Sequence, residues 1–277
     1  MEKKFNQIAV RKASGVTEPF SIAKLRSSLT KARASEEEIN FILESLQPKL
    51  YEGITTKKIY SEAFRLLRQK SKHHAARYYL KKGIMELGPS GYPFEKFMSE
   101  LFRHQGYSVV VGKILKGKCV DHEIDVIGEK GNEMILVECK YRNLAGIAVD
   151  VKTPLYIHAR FDDVSENGAL KKNGTVIFGW IATNSKFTSD AIAYGRCKNL
   201  NMISWNYPSD RSLRDVIDEF RLYPLTCLSA LTKQEKQWLL AKNYVLVKDV
   251  YNNSDLLKKA GVSENRLKAV LEEGEKL

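Results

Sequence analysis

Asp125, Glu138 and Lys140 stand among runs of Ile, Leu and Val in the segment HEIDVIGEKGNEMILVECKYRN, residues 122–143. A carboxylate withdrawn from water is costly unless it is paired or holds a cation. Charges placed here therefore either lie on a wet sheet face or converge on a task. DHEIDVIG and MILVECKY read as two strands joined by the turn EKGN, a hairpin. Side chains alternate along a strand, so Glu138 and Lys140 share one face while Val137 and Cys139 take the other. Asp125, on the neighbouring strand, reaches that same face, so two carboxylates and an ammonium can meet. The tripeptide Glu-x-Lys alone is weak evidence, because a solvated strand face explains most of its occurrences. Asp150-Val-Lys152 is a decoy of that kind, followed by TPLY, which reads as a loop entering a helix.

The elements around this hairpin give it an ordered setting. YPFEKFMSELFRHQGY places Phe94, Phe97, Met98, Leu101 and Phe102 on one helical face, with Glu95 at its edge beside Phe102 and Glu100 pointing away. YSVVVGKIL follows as a β-branched strand. After the hairpin, GTVIFGWIATNSKFTSDAIAYGRCKNLNMISWN reads as strand, loop, helix, strand, a crossover that builds a mixed α/β sheet. His104, His122 and His158 lack a metal-ligand spacing and read as solvent-facing or hydrogen-bonded. Trp180 and Trp205 fall in predicted strands and read as core.

Turn-forming residues mark two boundaries. ELGPSGYP (86–93) stops a helix and reads as a linker, and RLYPLTCLSALT (221–232) opens a purely helical tail. Ahead of the linker, IAVRKASGVTEPF predicts a short hairpin about a Gly-containing turn. Ser21 then caps a helix with Ile22, Leu25 and Leu29 on one face. Ile39, Ile42, Leu43 and Leu46 stripe a second helix. Thr56 is expected to cap a third, bearing Ile59, Ala63, Leu66 and Leu67, and a fourth runs through HHAARYYLKKGIMEL. In the tail, Thr232 and Glu235 predict a capping box, and SDLLKKAGVSENRLKAVLEEGEKL reads as helix, Gly turn, helix.

Composition narrows the classes. The 277 residues are 43% hydrophobic and 28% charged, as in globular proteins, and suffice for two or three small domains. No apolar run approaches the length of a membrane span and the first residues lack a signal-peptide core, so a cytoplasmic protein is expected. The 4 cysteines form no CxxC pair, which points away from a zinc ribbon or a disulfide framework. Of the net charge of +12, residues 1–88 hold 18 Lys/Arg against 9 Asp/Glu, whereas residues 89–223 are nearly balanced at 18 against 17. A basic N-terminal part suits nucleic acid or the phosphates of a smaller ligand.

Two resemblances sharpen these readings. VRKASGVTEPFSIAKL (10–25), with GITTKKI and AARYYL further on, resembles the ATP-cone, a regulatory nucleotide-binding module best known from ribonucleotide reductases. That resemblance implies nucleotide contacts from Val10, Lys12, Lys24 and Thr56, with Lys12 and Lys24 on phosphates. Ala13 and Ser14 replace the family's Arg and Asp, which removes one charge-assisted contact.

Asp125 followed on the next strand by Glu138-Cys-Lys140 resembles the PD-(D/E)xK nucleases. The order of Glu95, DHEIDV, ECK and ATNSKFTSDA resembles their Mrr-like restriction branch, over about residues 90–207. The resemblance implies a Mg²⁺ or Mn²⁺ site made by Asp125, Glu138 and the backbone carbonyl of Cys139. Lys140 would hold or polarise the attacking water, and Glu95 would add a fourth oxygen.

The sequence thus predicts a multidomain α/β protein. A mainly helical ATP-cone (1–88) precedes a mixed-sheet, restriction-endonuclease-like α/β/α core (89–223) and a small helical domain of helix-hairpin-helix or SAM-like character (224–277). The expected function is Mg²⁺-dependent DNA endonuclease activity modulated by ATP or dATP, in a homo-oligomer with no membrane partner. A non-catalytic nucleotide-responsive DNA-binding regulator and a Holliday-junction-type resolvase are the alternatives.

Overall fold

The computed structural model describes residues 8–12, 15–144, 146–168 and 174–277. Ala13 and Ser14, where the nucleotide motif departs from its family, lie outside the described residues. The chain divides into two compact units. One comprises the chain up to Gly83 with Leu225–Trp238 and Val247–Leu277, and the other Ile84–Pro224 with Leu239–Leu246.

In the first unit, β1 (Ala9–Arg11) and β2 (Thr17–Pro19) form the expected antiparallel hairpin. Its turn passes through Gly15 at φ +83°, a left-handed conformation that suits glycine. Ser21 caps α1 (Ile22–Lys31) by accepting from the Lys24 N–H, and a Ser35–Glu38 capping box opens α2 (Glu36–Leu46). β3 (Ile54–Thr55) then pairs parallel to β1. A two-residue strand is too short to leave a sequence alternation, so this element was not foreseen. The next helix, α3 (Thr56–Lys70), corrects a cap assignment. Thr55, not Thr56, is the capping residue: its backbone is still extended and its hydroxyl accepts from the Lys58 N–H at 3.2 Å. The stretch expected to be a single fourth helix is broken at Tyr79 into α4 (Lys72–Tyr78) and α5 (Leu80–Met85). Leu25, Leu29, Ile39, Ile42, Ile59, Ala63 and Leu67 interlock as the core of this unit. Fully burying each Leu or Ile contributes roughly 1.5–3 kcal/mol.

The second unit is built on a five-stranded mixed sheet of order β4-β5-β6-β7-β8. α6 (Tyr92–His104) leads in, with Phe94, Phe97, Met98, Leu101 and Phe102 all buried. β4 (Ser108–Lys116), β5 (Asp121–Lys130) and β6 (Glu133–Lys140) form an antiparallel meander, and Lys130 pairs with Glu133 across the turn. Gly131 sits in that turn at φ +60°. α7 (Lys152–Glu166) crosses to β7 (Val176–Thr183), and α8 (Ser189–Cys197) crosses to β8 (Asn201–Ile203), both pairings parallel. α9 (Leu213–Phe220) follows. Met134 and Leu136 of β6 pack with Ile157, Phe161 and Val164 of α7, so covering helices explain the nearly continuous apolar run of β6. Trp180 lies in β7 as expected, but Trp205 falls in the turn after β8 rather than in a strand, and both are half-buried.

The tail holds α10 (Lys233–Ala241), α11 (Ser254–Lys259) and α12 (Glu264–Glu275). Its capping box is present: the Thr232 N–H donates to Glu235 at 2.7 Å and the Glu235 N–H to Thr232 at 3.3 Å. Gly261, at φ +96°, turns the chain between α11 and α12. Leu225–Trp238 and Val247–Leu277 of the tail group with the first unit, and Leu239–Leu246 with the second. The Thr226 hydroxyl donates to the Gly83 carbonyl at 2.7 Å, and Arg77 donates to the Lys276 carbonyl at 3.3 Å. Cys227 packs so closely on Gly83 that a Cβ there would meet its Sγ at 2.6 Å.

Candidate active site

The ladder between β5 and β6 sets the site. Val126 faces Val137, so one residue on, at the end of the β6 pairing, Asp125 and Glu138 are brought side by side. The Cys139 N–H donates to the Asp125 carboxylate at 2.7 Å, which locks the first acid to the strand that carries the second. Glu138 is only 3% exposed. Its two oxygens are engaged by different cations, one by Lys140 and the other by Arg160 of α7 at 2.7 Å. Arg160 also donates to the carbonyl of Glu123. Sequence reasoning missed Arg160 altogether. It lies 22 residues from Glu138, and only the packing of α7 on the sheet brings the pair together.

Glu95, from the first turn of α6, joins this acidic group. Its carboxyl is pushed up to about 7, chiefly by burial and then by repulsion from Asp125, Glu123 and Glu138. Asp125 is pushed up to about 6, again by burial first and then by Glu138, against the opposing Cys139 N–H, Lys140 and Arg160. The Cys139 thiol is buried and is raised well above the ordinary range by that burial.

Residues at the end of β7 and just past it hold the end of the Glu-x-Lys strand in place. The Thr183 hydroxyl donates to the Lys140 carbonyl at 2.6 Å. Asn184 brackets Arg142, accepting from its N–H at 2.7 Å and donating to its carbonyl at 2.8 Å. Both Thr183 and Asn184 are buried, which gives the Thr-Asn pair read in the sequence a physical task. His122 is hydrogen-bonded, to Asp163 at 2.7 Å, and His158 pairs with Asp162 at 2.9 Å. Asp163 also accepts from the Cys119 N–H at 2.8 Å and so ties the β4–β5 turn to α7.

Among the described residues, no three His, Cys, Asp or Glu side chains form a ready metal cage. The donor set nonetheless fits a hard cation. Mg²⁺ keeps several waters and is held by one or two carboxylates. Asp125 and Glu138 could supply these, and a divalent ion there would relieve the repulsion that they exert on Glu95.

In the first unit, Val10, Glu18, Lys24, Thr56, Tyr60 and Tyr78 line a cavity of about 190 Å³. Lys12 meets this group through Glu18, whose carboxylate binds Lys12 at 2.6 Å and Lys24 at 3.2 Å. The two lysines hold the Glu18 carboxyl below the usual range, Lys12 more strongly. Tyr60 and Tyr78 stack at 4.8 Å and form an aromatic wall that the sequence did not suggest.

Comparison with known proteins follows the same divisions. Family models match an ATP cone domain at residues 8–81, a restriction endonuclease domain at 88–206 and an AF1548-like C-terminal domain at 223–277. An uncharacterized protein of Archaeoglobus fulgidus is 29% identical over 181 residues, which is 65% of this chain and 99% of that protein. The crystal structure of AF1548, a protein of unknown function, overlaps with a TM-score of 0.55 at 29% identity, covering 68% of this chain and 97% of that one. The chain thus joins, in order, an ATP cone domain, a restriction endonuclease domain and an AF1548-like C-terminal domain.

Proposed function

We propose that the protein is a divalent-metal-dependent endonuclease that hydrolyses DNA phosphodiester bonds and that ATP or dATP regulates it. The observation that carries the reading is the convergence of Asp125, Glu138 and Lys140 at the end of β6, inside a chain segment matched by a restriction endonuclease model. Asp125, Glu138 and the Cys139 carbonyl would hold Mg²⁺ or Mn²⁺, with Glu95 as an auxiliary oxygen. When bound, such an ion supplies positive charge at the scissile phosphate and acidifies a water.

The remaining roles fall to the chain itself. Lys140, with 30% of its side chain exposed, reaches solvent and can orient the attacking water while offsetting charge in the transition state. Arg160 keeps Glu138 in one orientation. Glu95, whose carboxyl is pushed up to about 7 by burial and by its acidic neighbours, would serve the site as that auxiliary oxygen. In the first unit, Val10, Lys12, Lys24 and Thr56 would bind the nucleotide, whose phosphates displace Glu18 from the two lysines. An effector acts only through a difference in affinity between two states. We take oligomer state as the variable it shifts.

The test incubates linear, supercoiled and branched DNA with the protein and Mg²⁺, with and without ATP and dATP. Mg²⁺-dependent strand breaks that change with nucleotide support the proposal. The absence of cleavage on every substrate would leave a nucleotide-responsive DNA-binding protein, and cleavage confined to branched DNA would indicate a junction resolvase.

A further inference from the structure

α7 carries an aromatic residue that neither the core nor the acid cluster uses. Tyr156 is 63% exposed. It is not isolated. The Arg160 guanidinium lies 5.6 Å from the centroid of its ring, and the same guanidinium donates to Glu138. Lys152, Tyr156 and Arg160 are spaced four residues apart along the helix, so they lie on one face. Lys152 is exposed at the start of that face, and Arg160 ends it at the Asp125–Glu138 pair. The helix therefore presents an exposed cation and an exposed ring, followed by the Glu138-bound Arg160, in a row that runs to the acidic site.

We propose that this face of α7 is a track for an unpaired nucleic-acid strand, with Tyr156 stacking against a nucleobase that flanks the scissile phosphate. The inference rests on the endonuclease reading and names its substrate class: DNA with single-stranded or locally unpaired nucleotides at the cut. A base inside a duplex already stacks on its neighbours and must be unpaired before a protein ring can reach its face. An unpaired base meets such a ring freely, and the contact tolerates any sequence because every base has a π-face. Lys152, exposed at the start of the face, complements a phosphate beside that base, while Arg160, only 12% exposed and held by Glu138 and the Glu123 carbonyl, backs the Tyr156 ring.

The experiment measures binding without cleavage. The full chain in EDTA is titrated against a fluorescently labelled single strand and against the matching duplex. Tyr156→Ala is expected to weaken single-strand binding by about five- to tenfold, as loss of one stacked base does, with less than about twofold effect on duplex. Tyr156→Phe keeps the ring and is expected to bind like the wild type. The alanine variant should fold normally, since the side chain is largely exposed and alanine favours helix. No loss on single strand, an equal loss on both DNAs, or a wild type that ignores single strands would each overturn the proposal. Loss of self-association in Tyr156→Ala with unchanged DNA binding would assign the face to a second copy of the chain, and so would overturn it too. Failure of cleavage with the Tyr156 effect intact would sink the nuclease reading alone, whereas cleavage without the Tyr156 effect would sink this one alone.

Discussion

Replacing Asp125 with Asn in the metal-free protein tests the electrostatics of the site without any assay of catalysis. In the folded chain the Asp125 carboxyl is pushed from 3.8 to about 6. A tenfold change in proton affinity corresponds to about 1.4 kcal/mol, so ionised Asp125 costs the folded state roughly 3 kcal/mol. Because the folded value is the higher one, the native state binds the proton more tightly than the unfolded chain. Stability from this group is therefore full below about pH 4 and is lost as pH rises through about 6. Glu95, pushed up to about 7, acts in the same direction over a window reaching higher pH, but it is half-open to water and contributes less. The amide that replaces the carboxylate would still accept the Cys139 N–H, so the main effect of the substitution is to remove the charge. Urea unfolding of wild type and Asp125→Asn in EDTA, from pH 4 to pH 8, is the assay. The variant should gain roughly 2–3 kcal/mol on the wild type across that range, and millimolar Mg²⁺ at pH 8 should close the gap by stabilising the wild type. Parallel pH profiles for the two proteins would refute the crowding of carboxylates on which the metal assignment rests.

Three further outcomes are expected. Lys12→Ala and Lys24→Ala should each weaken ATP binding roughly tenfold in a calorimetric titration, through loss of a charge-assisted phosphate contact, while leaving the β5–β6 site untouched; unchanged affinity would remove these lysines from the nucleotide site. Gly88→Ala should destabilise the second unit by about 1–3 kcal/mol, because the new Cβ would meet the Tyr141 ring at 2.6 Å; normal stability would show that Tyr141, which donates to the Met85 carbonyl at 2.5 Å, moves aside at no cost. DNA binding should fall steeply with salt, and cut ends should show little sequence preference, because contacts to phosphate rather than to base edges are expected; a unique short recognition sequence would contradict this.

The parts of this architecture that the sequence announces are those set by local periodicity. α6 buries the same five apolar residues that its 3.6-residue pattern selects, and the β5–β6 hairpin turns where Gly131 stands. Ser21 and Thr232 cap the helices that they precede in the sequence. Capping is ambiguous where two threonines adjoin, and Thr55 rather than Thr56 proved to be the one with an extended backbone. The pairing of β3 with β1 and the grouping of Leu225–Trp238 and Val247–Leu277 with the first unit depend on contacts between distant residues, which leave no local pattern. Strand alternation was enough to place Asp125, Glu138 and Lys140 together. It could not reveal that Arg160 holds Glu138 or that Thr183 and Asn184 anchor the end of β6, since those contacts arise only when the crossover helix and the parallel strand close on the hairpin.

Cleavage by single-residue variants tests the central claim most directly. Supercoiled and branched DNA should be nicked or cut by the wild type in Mg²⁺ and left intact in EDTA. Asp125→Ala, Glu138→Ala and Lys140→Ala should each abolish that cleavage while DNA binding persists, and Glu95→Ala should do less. Cleavage by Glu138→Ala at the wild-type rate would contradict the account.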